Sequence, residues 1–251
     1  MIGIIGYEGF IGSAMTRACQ RATREFVGYG RNEIVADICE LIIDCNGNSK
    51  KYQVNQDPIR GYDSIVGSVS KRLEQSNKTQ KYIYLSSGEV YGSQQVKSLE
   101  TDEIDVSEVS VYGNLKLEAE ELIKAHQEKS LIIRPSGFVG NGLLKNPIYD
   151  LLHGNKLFVH PESRFQFCDV DWFADTVIWL GLQGATGIWN ISATGTVSIK
   201  DVSNIAGVKI DKVTSDASIE HHELSTGKLE KQIAVPNTID VINEFLKEFF
   251  K

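Results

Sequence analysis

The opening stretch of the chain constrains its fold more than any other. Ile2-Gly3-Ile4-Ile5 is an apolar run of strand length. It passes directly into Gly6-Tyr7-Glu8-Gly9-Phe10-Ile11-Gly12, and a helix-like pattern then runs from Ile11 to about Ala22. A glycine-rich turn between a strand and a helix leaves room for a pyrophosphate beside bare backbone. The helix N-terminus adds N–H donors and a partial positive charge. Gly6, Gly9 and Gly12 are spaced GxxGxxG, which differs from GxGxxG. Gly6 would make the turn, Gly9 would admit phosphates, and Gly12 would let helix pack on strand. Incidental glycines in an ordinary turn would give the same letters. The position directly after an N-terminal apolar strand favours a dinucleotide site.

The rest of the chain alternates in the same way. Strands are expected at Glu25 to Tyr29, Leu41 to Cys45, Tyr82 to Leu85 and Leu131 to Ile133, the last stopped by Arg134-Pro135. Helical spacing recurs around Tyr62 to Leu73 and from Val111 to Glu128. Val170 to Leu182 reads as helix, Gly187 to Ile191 as strand, and Ile239 to Phe250 as a terminal amphipathic helix. Short apolar runs alternating with amphipathic segments predict an α/β fold of the doubly wound, Rossmann type, with a parallel sheet.

In a dinucleotide site the end of the second strand meets the adenosine ribose. A carboxylate there favours NAD, and an arginine accommodates the 2′-phosphate of NADP. The chain has Gly30-Arg31-Asn32 and no carboxylate until Glu33, so NADP(H) is the expected cofactor and NAD(H) the alternative. A merely solvated Arg31 would set no preference.

Composition narrows the partners. The 251 residues carry a formal net charge of −7, which gives no general attraction for nucleic acid or anionic membrane. No apolar run reaches bilayer-spanning length, and the N-terminus lacks the pattern of a signal peptide. Cys19, Cys39, Cys45 and Cys168 are scattered, as reduced core residues of a cytoplasmic protein would be. No metal spacing accompanies His221-His222, which read as a solvated face; Trp172, Trp179 and Trp189 read as core. The acidic run from Glu100 to Glu108 reads as a solvated loop.

Tyr112-Gly113-Asn114-Leu115-Lys116 opens a helix and puts phenol and ammonium at i and i+4, on one face. A nearby ammonium stabilises phenolate, and the tyrosine can then exchange a proton with a carbonyl or hydroxyl while hydride moves. Ser86-Ser87-Gly88-Glu89 follows a buried strand, at the end of an α/β sheet where ligands bind. A serine hydroxyl there can hold the substrate oxygen beside the tyrosine. A surface Tyr–Lys pair and a capped turn are the plainer readings of each motif taken alone.

Taken in order, YLSSGEVYG, YGNLKLEAEELI, IIRPSGFVGNG, FQFCDVDW and GIWNISATGTVSIKDV resemble the successive signatures of the extended short-chain dehydrogenase/reductases, the NAD-dependent epimerase/dehydratase relatives. The resemblance covers most of residues 1 to 205. It implies a Rossmann domain over 1–140, rejoined by 165–191, and a small substrate-binding lobe made mainly of 141–251. It implies a catalytic Ser87, Tyr112 and Lys116, with Lys116 also touching the cofactor ribose. Gly6, Gly9, Phe10, Ile11, Gly12, Arg31 and Asn46 would bind the cofactor. Pro135, Ser136 and Phe138 would hold its nicotinamide end. Ser87, Tyr112, Asn141, Arg164 and Gln166 would face a nucleotide-linked sugar. A homodimer through helices of the sheet domain is one assembly the family uses.

The chain also departs from that pattern. Too few residues separate Arg31 from Leu41 for the family's helix, strand and helix, so this sheet edge is cut short. Ser64 stands where the family has an asparagine. Glu89 stands where dehydratases and decarboxylases of the family carry a glutamate that acts as a base on the sugar ring. The expected activity is NADP(H)-dependent reduction of a nucleotide-linked 4-keto-6-deoxysugar, with Tyr112 as proton donor. The alternatives are an epimerase, dehydratase or decarboxylase with a retained cofactor and Glu89 as base, or a non-catalytic NADP-binding protein.

Overall fold

The structure is a computed structural model and describes residues 1–30, 33, 38–93 and 97–251. The chain divides into two compact units. One comprises Met1–Gly92, Glu103–Pro135 and Asp171–Trp189, the other Ser93–Asp102, Ser136–Val170 and Asn190–Lys251.

The first unit is built on a sheet. β1 (Ile2–Ile5), β2 (Phe26–Tyr29), β3 (Leu41–Asp44), β4 (Lys81–Leu85) and β5 (Ser130–Pro135) pair in parallel. With β9 (Gly187–Ile191) the order is β2-β1-β3-β4-β5-β9. The register puts Ile4 opposite Ile43, Ile43 opposite Ile83 and Ile83 opposite Leu131, all fully buried. Strands apolar on both faces demand cover on both faces, and parallel pairing needs crossovers that carry helices. Those helices are α1 (Phe10–Arg21), α2 (Lys51–Gln56), α3 (Pro58–Tyr62), α4 (Ser68–Gln75) and α5 (Val111–His126). The expected doubly wound α/β sheet is thus present. Among the described residues β2 is its edge strand, and β3 lies on the other side of β1, so the strand order reverses at β1. Ligands of open α/β sheets bind outside the strand ends at such a reversal.

Several boundaries differ from expectation. The helical region around Tyr62 starts earlier, at Pro58, where Asp57 accepts a hydrogen bond from Arg60 N and proline occupies the first turn. A π-helical turn at Asp63–Gly67 then carries the chain into α4. β5 runs on through Arg134 to Pro135 rather than stopping before them, since a proline at the last strand position forgoes only a terminal donor. The polar α2 buries only Val54 and gives no periodic signal in the sequence.

The second unit holds β6 (Gly137–Val139) paired in parallel with β8 (Phe167–Asp169), and a small sheet of β10 (Val197–Ser198), β7 (Arg164–Phe165) and β11 (His221–His222). α6 (Pro147–Leu152), α8 (Ile199–Ala206) and α10 (Thr238–Phe249) pack with them; α7 (Val170–Leu182) and α9 (Gly227–Glu230) complete the α-helices among the described residues. α8 starts with a reciprocal capping box between Ser198 and Asp201. His221 and His222 are not the freely solvated pair expected. They form β11, half-buried; His222 stacks on Phe165 and meets Glu220 at 2.9 Å. Glu100 likewise leaves the solvated run to accept a hydrogen bond from Asn190 N. Of the three tryptophans, only Trp189 is buried; Trp172 and Trp179 are partly exposed. Cys19, Cys39 and Cys168 are buried free thiols, and Cys45 is partly buried. No helix among the described residues is long and apolar enough to cross a membrane.

Candidate active site

The phosphate loop is held by close backbone packing. Gly6 has φ +75°, a conformation that favours glycine, and lies against Asn46 at the end of β3. A Cβ on Gly12 would sit 2.1 Å from Gly6 O. Gly9 is the N-cap of α1, is exposed, and offers no side-chain cap to the first turn. Phe10 and Ile11, partly exposed, continue that turn. An uncapped helix start beside bare glycine backbone has the donors and the dipole that a pyrophosphate needs.

Asn46 is fixed from behind by a buried ion pair absent from the sequence-based reading. Asp44 is 1% exposed and accepts from Tyr82 Oη at 2.7 Å and Arg72 Nε at 2.8 Å. Its other oxygen accepts from Asn46 N at 3.0 Å, while Arg72 also donates to Asn46 O at 3.4 Å. The loop after β3 therefore cannot move independently of α4. A cleft of about 610 Å³ opens beside it, lined by Asn46, Gly47, Ser64, Arg72 and Glu33 among others. Ser64, in place of the asparagine, donates to Gly61 O and accepts from Asn48. Arg31 lies outside the described residues. Glu33, within them, accepts from Gly30 N at 2.6 Å.

Ser87, Tyr112 and Lys116 are brought to the C-terminal end of β4. Ser110 caps α5 by accepting from Gly113 N, and Asn55 accepts from Tyr112 N at 3.0 Å. Gly113 is needed there, since a Cβ would lie 2.7 Å from Glu89 O. Tyr112 comes close enough to Ser87 for the serine side chain to act on its phenol. Ser87 also accepts from Glu89 N at 3.2 Å, which orients its hydroxyl. Tyr112 is 7% exposed. Burial pushes its phenol well above the usual range, the nearby Ser87 side chain opposes this, and the Glu89 charge adds to it.

Lys116, one turn on from Tyr112, points its ammonium at the end of β4. Its ammonium, 2% exposed, donates to Leu85 O at 3.0 Å and Tyr84 Oη at 3.2 Å, and burial lowers its pKa to about 8. An ammonium has three donors. Two find acceptors among the described residues, which leaves one for a ligand hydroxyl. A Cβ on Gly47 would fall 2.7 Å from this ammonium, so only glycine lets the loop after β3 come so close. The donor loop, the uncapped helix start and the spare lysine donor together fit a nicotinamide dinucleotide. Glu89 pairs with Lys51 of α2 at 2.6 Å, with side chains 27% and 38% exposed.

Pro135 ends β5, buried, in the first unit. The remaining expected residues lie in the second. Ser136 bonds to Ser192 Oγ at 2.5 Å, and Phe138 sits in β6, where its carbonyl accepts from Asn146. Asn141 is exposed between Gly140 and Gly142, both at positive φ. Arg164 reaches Thr196 at 3.0 Å and Asp201 at 3.4 Å. Gln166 is 2% exposed, with its amide committed to Ala193 O and to both backbone groups of Leu224.

Comparison with solved structures shows the same fold at low identity. A dTDP-4-dehydrorhamnose reductase of Clostridium acetobutylicum superposes with a TM-score of 0.84 at 16% identity, covering 100% of this chain and 99% of that one. A dTDP-4-dehydrorhamnose reductase of Bacillus anthracis in complex with NADP gives 0.82 at 17% identity, covering 98% and 97%. TunA, an NAD-dependent NDP-hexosamine 5,6-dehydratase, gives 0.84 at 18% identity, covering 99% and 97%. No curated protein matches by sequence. The profile of the NAD dependent epimerase/dehydratase family matches residues 2–192, so with its glycine loop, its Ser–Tyr–Lys motif and its doubly wound sheet the chain belongs to that family.

Proposed function

We propose that the protein is an NADP(H)-dependent reductase of a nucleotide-linked 4-keto-6-deoxysugar. One observation carries this reading: Tyr112 is buried beside Ser87, and burial raises the pKa of its phenol. A protonated phenol is an acid in waiting, which suits a carbonyl oxygen that gains negative charge. When bound, the reduced nicotinamide supplies the hydride. Ser87 orients the carbonyl oxygen, Tyr112 gives it a proton, and Lys116 offers its spare donor to the cofactor ribose. Gly9 and the start of α1 receive the pyrophosphate. Two dTDP-4-dehydrorhamnose reductases, one in complex with NADP, share this fold and are in keeping with the reading, as an NAD-dependent dehydratase of the same fold is with the alternative.

The second reading is a retained-cofactor epimerase, dehydratase or decarboxylase with Glu89 as base. Glu89 lies close enough to influence Tyr112, which favours it. Its ion pair with Lys51 engages the carboxylate and favours reduction instead. The test follows absorbance of reduced nicotinamide in mixtures of protein, NADPH and nucleotide-linked 4-keto-6-deoxysugars. Decay matched by reduced sugar, and lost in Tyr112→Phe, is expected. An altered sugar nucleotide without decay would overturn the reading in favour of Glu89 chemistry.

A further inference from the structure

Glu120 lies one turn beyond Lys116 and two beyond Tyr112, on the same face of α5. Its side chain is completely buried. The carboxylate accepts from Arg134 Nε at 3.0 Å and Arg134 Nη2 at 2.7 Å, a bidentate pair across α5 and β5. It also accepts a short hydrogen bond from Ser86 Oγ. The Arg134 guanidinium lies over the Tyr91 ring, 4.9 Å from its centre. Tyr91 ends the single helical turn, Gly88–Tyr91, that follows Ser87.

Three residues on one helix face are thereby tied to three consecutive residues at the end of β4. Tyr112 stands beside Ser87, Lys116 bonds Leu85 O, and Glu120 bonds Ser86. Stability alone gives no reason for the third tie to be ionic. Well-packed apolar side chains of similar volume often serve as well as a buried carboxylate–guanidinium pair, or better. What apolar packing lacks is direction: charge-assisted, bidentate hydrogen bonds fix both distance and angle. Ser86 is covalently next to Ser87, so an error at Glu120 passes straight to the serine hydroxyl.

We propose that Glu120, held by Arg134, is a positioning residue that sets the placement of Ser87 against the Tyr112 phenol. The proposal rests on the reading of Ser87 and Tyr112 as the proton-transfer pair. Glu120 also bears on Lys116. The charged groups facing that ammonium are Asp44 from β3, Glu120 from its own helix and Arg72 from α4, beside the Tyr84 hydroxyl of β4. The two carboxylates favour the ammonium, while burial and Arg72 oppose it.

The experiment compares wild type, Glu120→Gln, Glu120→Met, and Glu120→Met combined with Arg134→Met. Glu120→Met leaves Arg134 buried and unpaired and is expected to lower the melting temperature, which the double variant recovers. In Glu120→Gln and in the double variant, kcat is expected to fall roughly tenfold to a hundredfold, as misplacement by up to about 1 Å does. The KM for the keto sugar and the Kd for NADPH should stay within about twofold. A double variant that recovers kcat along with stability overturns the proposal, because the pair would then be structural only. A second readout needs no turnover. With tyrosines labelled at Cζ and Tyr112 assigned by Tyr112→Phe, its resonance should move in Glu120→Gln in the same sense as in Ser87→Ala. An unmoved resonance overturns the proposal. Wild type that consumes no NADPH counts against the reductase reading, and the resonance then still decides the role of Glu120.

Discussion

Gly12 and Gly9 are expected to fail in opposite ways when each is replaced by alanine. At Gly12 the new Cβ would stand 2.1 Å from Gly6 O and 2.8 Å from Gly6 C and Tyr7 Cα, all backbone. No side chain can rotate out of the way, so α1 must shift off β1. Overpacking of this kind costs about 1–3 kcal/mol, and the rigid neighbours put Gly12→Ala at the upper end. The higher helix propensity of alanine returns about 1 kcal/mol. The net loss of about 2 kcal/mol corresponds to a fall of roughly 4–8 °C in melting temperature for a protein of this size. At Gly9 the Cβ would meet only Gly6 O, at 3.3 Å, and φ −72° with ψ 170° suits alanine. Gly9→Ala should therefore stay within about 1 kcal/mol of wild type, because the lost N-cap preference and the lower unfolded-chain entropy nearly offset. Its methyl group would stand where phosphates must approach bare backbone, and NADPH affinity should fall at least about tenfold, or 1.4 kcal/mol. Thermal unfolding and fluorescence titration with NADPH measure both quantities. Gly9→Ala binding NADPH like wild type would refute the phosphate role of this loop. Gly12→Ala as stable as wild type would refute the packing argument.

Two further outcomes follow from the buried charges. Burial lowers Lys116 to about 8 from the 10.5 of an unfolded chain, so between those values the unfolded state binds the extra proton and stability rises with pH. Relative to Lys116→Met, wild type should gain up to about 3 kcal/mol from pH 8 to pH 10.5 in urea unfolding, and parallel pH profiles would refute this. Arg72→Met strands the Asp44 carboxylate in the core and should cost about 3 kcal/mol, since Tyr82 and Asn46 N still support it. Pairing it with Asp44→Asn should restore most of that loss, and a chemical denaturation curve unchanged by the single substitution would show the ion pair to be unimportant.

Much of the first unit was legible because its signals are local. The apolar runs at Ile2–Ile5, Leu41–Asp44 and Lys81–Leu85 could be covered only as parallel strands. The short stretch between Arg31 and Leu41 predicts a curtailed sheet edge, and among the described residues β2 stands at that edge. The second unit was less legible. Strands of two or three residues, such as Arg164–Phe165 and Val197–Ser198, are too short to show a period of two. A pair such as His221-His222 looks solvated until its strand partner is known.

By itself the sequence determined what depends on neighbours along the chain. It placed the glycine turn after β1 and set Tyr112 and Lys116 on one face of α5, because helical periodicity is a property of consecutive residues. Only the tertiary structure decided what those side chains touch. Lys116 turns to Tyr84 and Leu85, Glu89 to Lys51, Asp44 to Arg72, and Glu120 to Ser86 and Arg134. Gln166, expected at a substrate, spends its amide on Ala193 and Leu224. These partners come from other strands and helices, and a hydrogen bond is satisfied only at about 3 Å. Such distances are set by how elements pack, and no spacing within one element encodes them.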